Sequence, residues 1–198
     1  MSLTEEHIPT RDEILSDIWQ RLTDSADQAG KAWGVPVLSN QFGGVPAARS
    51  VVLRAVDREH RKLYAFTDAR SPKVTQLREH SAAIWTFYDP VDRIQLIAHT
   101  EIEVKSVGPD VDRFWNSSRP ESLHCYLGED APGTKVDTPS VVPTMSIQLH
   151  DLAGGRENFA VLEATIKELD WLALRRSGNL RARFVWTGED WEFSWLVP

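Results

Sequence analysis

Apolar residues recur along this chain with two periods, and the change from one to the other divides it into elements. Ile14, Ile18, Trp19, Leu22 and Ala26 fall at helical spacing. Thr10, Arg11, Asp12 and Glu13 before them form a capping box, so the pattern predicts an amphipathic helix over about 10–30, ending near Gly30. After Gly34 the pattern turns extended, punctuated by Gly43, Gly44 and Pro46, and leads into a strand at 49–56. The polar stretch 57–61 folds that strand back on 62–67 as a β-hairpin. Ser71, Pro72 and Lys73 then open a helix that stops around His80, with Ser71 as cap and Pro72 at the first helical position.

Residues 82–88 are strongly β-prone, Asp89 and Pro90 make a turn, and alternation from Ile94 to Val104 predicts a long strand able to bend around a barrel. Gly108 and Pro109 precede a second helical run carrying Val111, Phe114 and Trp115 on one side. The stretch 118–143 reads as a loop, and strands are predicted at 145–149, 159–166, 180–186 and 191–197. About seven strands broken by short helices predict one mainly β domain over 1–198, a barrel with helical insertions rather than alternating βα units.

Composition narrows the class. The chain has 198 residues, 26% of them charged, and no apolar run nears the ~20 residues of a bilayer span. Its opening residues are polar and acidic, unlike a signal peptide, and its single cysteine, Cys125, suits a reducing compartment, so a cytoplasmic protein is expected. A net charge of -7 disfavours nucleic acid and anionic membrane as partners. Eight tryptophans need burial or planar partners, and core packing, a dimer interface and a flat cofactor all qualify. The six histidines show no metal-ligand spacing, and no nucleophile elbow, Walker loop or dinucleotide fingerprint occurs.

What remains is a place for a phosphate. The helix start at Ser71 exposes free N–H groups, Ser71, Thr67 and Lys73 add donors, and Arg49 on the neighbouring strand can clamp an anion. Ser-Pro-Lys is equally an ordinary helix start, and Arg49 equally suits a surface ion pair.

Several short motifs occur in a telling order: R-S-V-V-L-R at 49–54, F-T-D-A-R-S-P-K at 66–73, R-I-Q-L at 93–96, S-R-P at 118–120, then N-L-R-A-R-F and a terminal W-E-F-S-W-L-V-P. In this order the chain from Ala47 to Pro198 resembles the pyridoxamine 5'-phosphate oxidase family, especially its FMN-binding branch of uncertain substrate. The resemblance leaves the opening helix as an addition. It implies a split β-barrel working as a homodimer, with FMN at the subunit interface and a small-molecule substrate.

By that resemblance Arg49 and Lys73 bind the FMN phosphate beside Ser71 and Thr67. Val52, Leu53 and Arg54 run along the flavin ring, Phe66 offers backbone contacts, Trp171 borders the cofactor, and Gln95 and Arg183 reach it, partly from the second subunit. Strand alternation puts Arg49 and Arg54 on opposite faces, which a bulge or the dimer has to reconcile. Plainer roles are an outward polar position for Gln95, a cross-strand ion pair for Arg183 and core packing for Trp171.

Departures from the oxidase pattern bear on the reaction. Arg54 replaces a lysine and Pro72 an arginine, and no glutamine-serine pair is found in 128–134. Arg119 resembles the arginine that binds the substrate phosphate, while Asn179, Leu180 and Arg181 stand where the oxidases have Arg-Leu-His on the substrate side. The expected function is therefore an FMN-dependent oxidoreductase on an unidentified small molecule. Authentic pyridoxamine phosphate oxidase is the second reading, and a flavin or haem binding protein without turnover is the third.

Overall fold

In a computed structural model that describes residues 7–139 and 149–198, the capping box at Thr10 and Glu13 starts helix α1 (Arg11–Asp27) as the pattern predicts. The hairpin β1 (Val37–Phe42) and β2 (Val45–Ser50) follows, then β3 (Ala55–Asp57), β4 (Lys62–Asp68) and helix α2 (Pro72–Glu79). Strands β5 (Ala82–Asp89) and β6 (Ile94–Lys105) lead to helices α3 (Pro109–Ser117) and α4 (Pro120–Leu123). A 3-10 turn (His124–Leu127) and a 3-10 stretch (Leu149–Asn158) precede β7 (Phe159–Ala173), β8 (Leu180–Trp186) and β9 (Trp191–Leu196). Among the described residues no helix is long and apolar enough to cross a membrane.

Among the described residues nine strands form one antiparallel sheet in the order β2-β1-β5-β6-β7-β4-β3, with β8 also pairing β7 and β9 pairing β8. The barrel is split by β7, whose 15 residues serve three partners. One edge pairs with β6; the other pairs with β4 over 159–165 and with β8 over 168–173. Between these two stretches lies a bulge: His99 faces Glu168 and Thr100 faces Ile166, leaving Lys167 unpaired. A bulge bends and twists the strand, which lets it leave one partner for the next. The strand predicted to end at Ile166 therefore runs on to Ala173, and the polar Lys167 and Glu168 mark the bend rather than the end.

The predicted strand 49–56 is likewise two pieces. Val51 and Leu53 donate backbone N–H bonds to Pro36 and Gly34, both at 3.0 Å, whereas the Arg54 N–H turns to Tyr64 at 2.8 Å. Residues 51–54 thus carry the chain from the β1 side to β4, and the hairpin with β4 is only β3. The stretch 118–143 is in part helical. Leu123 and Tyr126 are buried with Tyr64, Val111, Leu152, Phe159 and Val161 in a small cluster on the outer face of the barrel. The strand predicted at 145–149 lies outside the described residues except for Leu149, which begins a 3-10 stretch.

The main core gathers Trp85, Trp171, Phe87 and Phe184 from the barrel and Trp33 from the connection before β1 with Ile14, Ile18, Trp19 and Leu22 of α1. The opening helix is therefore part of the core. Its polar face is pinned as well, since Arg21 reaches Asp17, Asp89 and Asp92 at 2.7, 3.0 and 2.7 Å and Arg11 reaches Asp190 at 2.7 Å.

Candidate functional site

Two groups of predicted residues converge, on opposite sides of the end of β4. Successive side chains of a strand point to opposite faces, so Phe66 enters one group and Thr67 the other.

On the Thr67 side, the Lys73 ammonium donates to Thr67 Oγ1 at 3.1 Å and to Ser71 Oγ at 2.6 Å. Thr67 and Ser71 are both buried. The Arg49 guanidinium donates to the Leu38 carbonyl at 3.4 Å, to Asn40 Oδ1, and to Gln76 Oε1 at 2.9 Å. All these acceptors are neutral, and among the described residues neither cation has a carboxylate partner. Burial and the nearby Arg49 charge hold the Lys73 pKa below its usual value, with Asp68 offsetting part of the effect; burial also lowers that of Arg49. Two half-buried like charges beside a helix N-terminus are costly alone, and an anion between them relieves the cost. The donor set fits a phosphate monoester.

On the Phe66 side lies a cleft of about 540 Å3. Its walls are Val52, Leu53, Arg54 and Phe66 on the barrel, Phe114, Ser118 and Arg119 of the α3–α4 region, and residues 25–31 with 34 and 35 at the end of α1 and just beyond it. The Arg54 guanidinium stands 5.7 Å from the centroid of the Phe66 ring, which in turn meets Phe114 and Phe159 at 5.2 and 4.9 Å. Arg119 precedes α4 with Pro120 at the first helical position. Arg54, Arg119 and Lys31 thus line one aromatic-walled cleft against a single acidic residue, Asp27. Such a lining suits a flat molecule with an anionic group.

The predicted residues on β6, β7 and β8 do not line this cleft. Gln95 is half-buried on β6 opposite Tyr88 and Leu172. Trp171 is 1% exposed in the main core, so its ring packs the barrel. Arg183 pairs with Glu168 at 3.2 Å and lines a shallow depression of about 190 Å3 with Val185, Glu192 and Ser194. Arg181 holds Asp170 through bonds of 3.0 and 2.6 Å, and Asn179 Oδ1 accepts the Arg175 N–H at 3.1 Å. Alternation also separates Arg49 from Arg54: Val51 and Leu53 point inward, Val52 and Arg54 outward.

Several lining residues carry no local sequence signal. Lys31 and Asp27 reach the cleft only because α1 docks on the barrel, and Asn40 and Gln76 meet Arg49 only across β1 and α2. Phe114 was placed on a helix face by its periodicity, yet nothing in that pattern aims it at Phe66.

No protein-family profile matches the chain, and no curated protein matches it. Solved structures do, and they define its class: the chain has the split-barrel fold of the pyridoxamine 5'-phosphate oxidase-related, FMN-binding proteins. A protein so described from Nostoc punctiforme superposes with a TM-score of 0.71 at 19% identity, over 98% of this chain and 100% of that one. PhzG from Burkholderia lata, solved with tetrahydrophenazine-1-carboxylic acid, gives 0.68 at 15% identity with 100% of both chains covered. A Clostridium acetobutylicum protein related to general stress protein 26 gives 0.55 at 12% identity, over 87% of this chain and 95% of that one. At these identities the likeness is one of fold, and it includes α1.

Proposed function

We propose that this protein is an FMN-dependent oxidoreductase acting on a small, flat, anionic molecule, and that it works in the cytoplasm as a homodimer. The observation that carries the reading is the pair Arg49 and Lys73, two cations without carboxylate partners among the described residues, gathered with Thr67 and Ser71 at the start of α2. These four residues hold the phosphate of FMN. The fold shared with FMN-binding proteins supports the same assignment.

Bound FMN supplies hydride exchange with a substrate carbon, so no dedicated general base is needed from the protein. To meet both groups, one FMN would have to round the end of β4 from the phosphate side; Val52, Arg54 and Phe66 would then border its ring, and the fixed charge of Arg54 would stabilise negative charge on the reduced cofactor. Arg119 and Lys31 bind the anionic group of the substrate, and Phe114 shields the cleft from water. Gln95 and Arg183 lie away from the cleft within one chain. A second copy brings them to the cofactor, and exposed apolar side chains such as Val37, Val45 and Trp195 offer surface for that contact.

The absorbance spectrum of the purified protein, with identification of whatever heat releases, tests the reading. A flavin spectrum with FMN in the supernatant is expected. A colourless protein that FMN neither binds nor stabilises against heat overturns it.

A further inference from the structure

Arg70 lies in the connection between β4 and α2, immediately before Ser71. Its guanidinium serves two sets of acceptors. Nε and Nη2 donate to the Asp68 carboxylate at 3.0 and 2.8 Å, while Nη2 and Nη1 donate to the carbonyls of Gly128 and Glu129 at 2.9 and 3.0 Å. Asp68 is buried, and its Oδ1 also accepts the Arg70 backbone N–H at 2.8 Å, which closes the connection into a tight ring.

A second tie braces the same connection. Asn158 donates to the Tyr126 carbonyl at 2.9 Å while its own carbonyl accepts the Ala69 N–H at 2.7 Å. The backbone of 126–129 is thus fastened to the connection just ahead of Ser71, the residue whose hydroxyl receives Lys73. Sequence alone marks Arg70 only as a basic residue in a polar turn, and its charge is already matched by Asp68.

We propose that Arg70 is a positioning residue for phosphate binding: by tying residues 68–71 to the carbonyls of Gly128 and Glu129, it holds Ser71 and Lys73 in the geometry that receives a phosphate monoester. It does so without contacting the phosphate. The inference rests on the reading of Arg49 and Lys73 as the FMN phosphate site. It adds that this site is built from two distant parts of the chain, so that the 126–129 segment shares in its affinity.

FMN and riboflavin carry the same ring and differ by the phosphate, so their affinities separate the roles. Fluorescence titration of the full-length protein is expected to show that the wild type prefers FMN. Arg70→Ala should weaken FMN about tenfold, the scale of one charge-assisted hydrogen bond, and leave riboflavin unchanged. Arg70→Lys should behave like Arg70→Ala, because an ammonium keeps the charge but cannot span a carboxylate and two carbonyls.

Riboflavin binding by the same samples reports that the variants are folded. Wild-type FMN affinity in both variants would overturn the role of Arg70 while leaving the phosphate site standing. Full recovery in Arg70→Lys would assign the effect to charge and overturn positioning, and equal loss of both ligands would make Arg70 a general structural residue. A wild type that binds FMN no better than riboflavin would overturn the phosphate site itself, and the inference with it.

Discussion

Lys73 donates a 2.6 Å hydrogen bond to Ser71, the residue that opens the helix in which Lys73 sits, and the Ser71 hydroxyl makes no capping bond to α2. The helix start is therefore arranged around the ammonium rather than around its own N–H groups. Replacing Lys73 with Met should cost FMN about 1.5–3 kcal/mol of binding, a tenfold to more than hundredfold rise in Kd, the range for hydrogen bonds to charged groups. Isothermal titration with FMN measures this, and an unchanged Kd would separate Lys73 from the phosphate.

The same residue sets a pH dependence in the ligand-free protein. Burial and Arg49 hold the Lys73 pKa below 10.5, so across the interval between that lowered value and 10.5 the folded chain carries fewer protons at this site than the unfolded chain. Stability from this group therefore rises with pH through the interval and levels off above it. Denaturant melts across the alkaline range should show a rise in wild type that is smaller in Lys73→Met. FMN bound at this site should reverse the preference, because its phosphate would favour the charged lysine.

Arg54 stands over the Phe66 ring at the edge of the cleft, with no carboxylate partner among the described residues. Arg54→Met should lower the midpoint potential of bound flavin on the order of 30 mV, equivalent to about 1.4 kcal/mol for a two-electron couple. Spectroelectrochemical titration reads the shift. A potential equal to wild type would remove Arg54 from the flavin's surroundings.

Arg181 grips the buried Asp170. Its mutation to Ala should lower the thermal midpoint by leaving that carboxylate without its guanidinium, while FMN affinity stays as in wild type. A variant of unchanged stability whose KM rises would restore Arg181 to the substrate side, where the resemblance to the oxidases puts this part of the chain.

Ile18 of α1 is fully buried in the main core. Ile18→Ala should destabilise the protein by about 2–5 kcal/mol, the cost of a cavity in a packed core, whereas a helix merely added to a complete barrel would give a small change. Urea unfolding distinguishes the two.

What could be read in advance was whatever local chemistry dictates. Thr10 and Glu13 announced α1, Ser71 and Pro72 announced α2, and β8 fell where alternation put it. Lys167 concealed the second half of β7, because a bulge places consecutive polar residues in a continuing strand. Residues 51–54 kept their alternation while changing partners, and alternation carries no information about which strand lies alongside. The clustering of Thr67, Ser71 and Lys73 was legible because they are neighbours in one short motif. The cleft was legible only in part, since Arg54 and Phe66 belong to motifs but Lys31 and Asp27 arrive through tertiary docking.

The three-way pairing of β7 also bears on the order of events during synthesis. Until Phe159–Ala173 leaves the ribosome, β4 and β6 each present an edge whose peptide groups have no partner strand. Exposed edges invite pairing with other chains, and closure here waits on contacts nearly a hundred residues apart, as with β4 and β7. A nascent chain stalled before β7 should be sticky, and a chain released after β9 should close in one concerted step, with the Lys167 bend as the point where both halves of the barrel are zipped together.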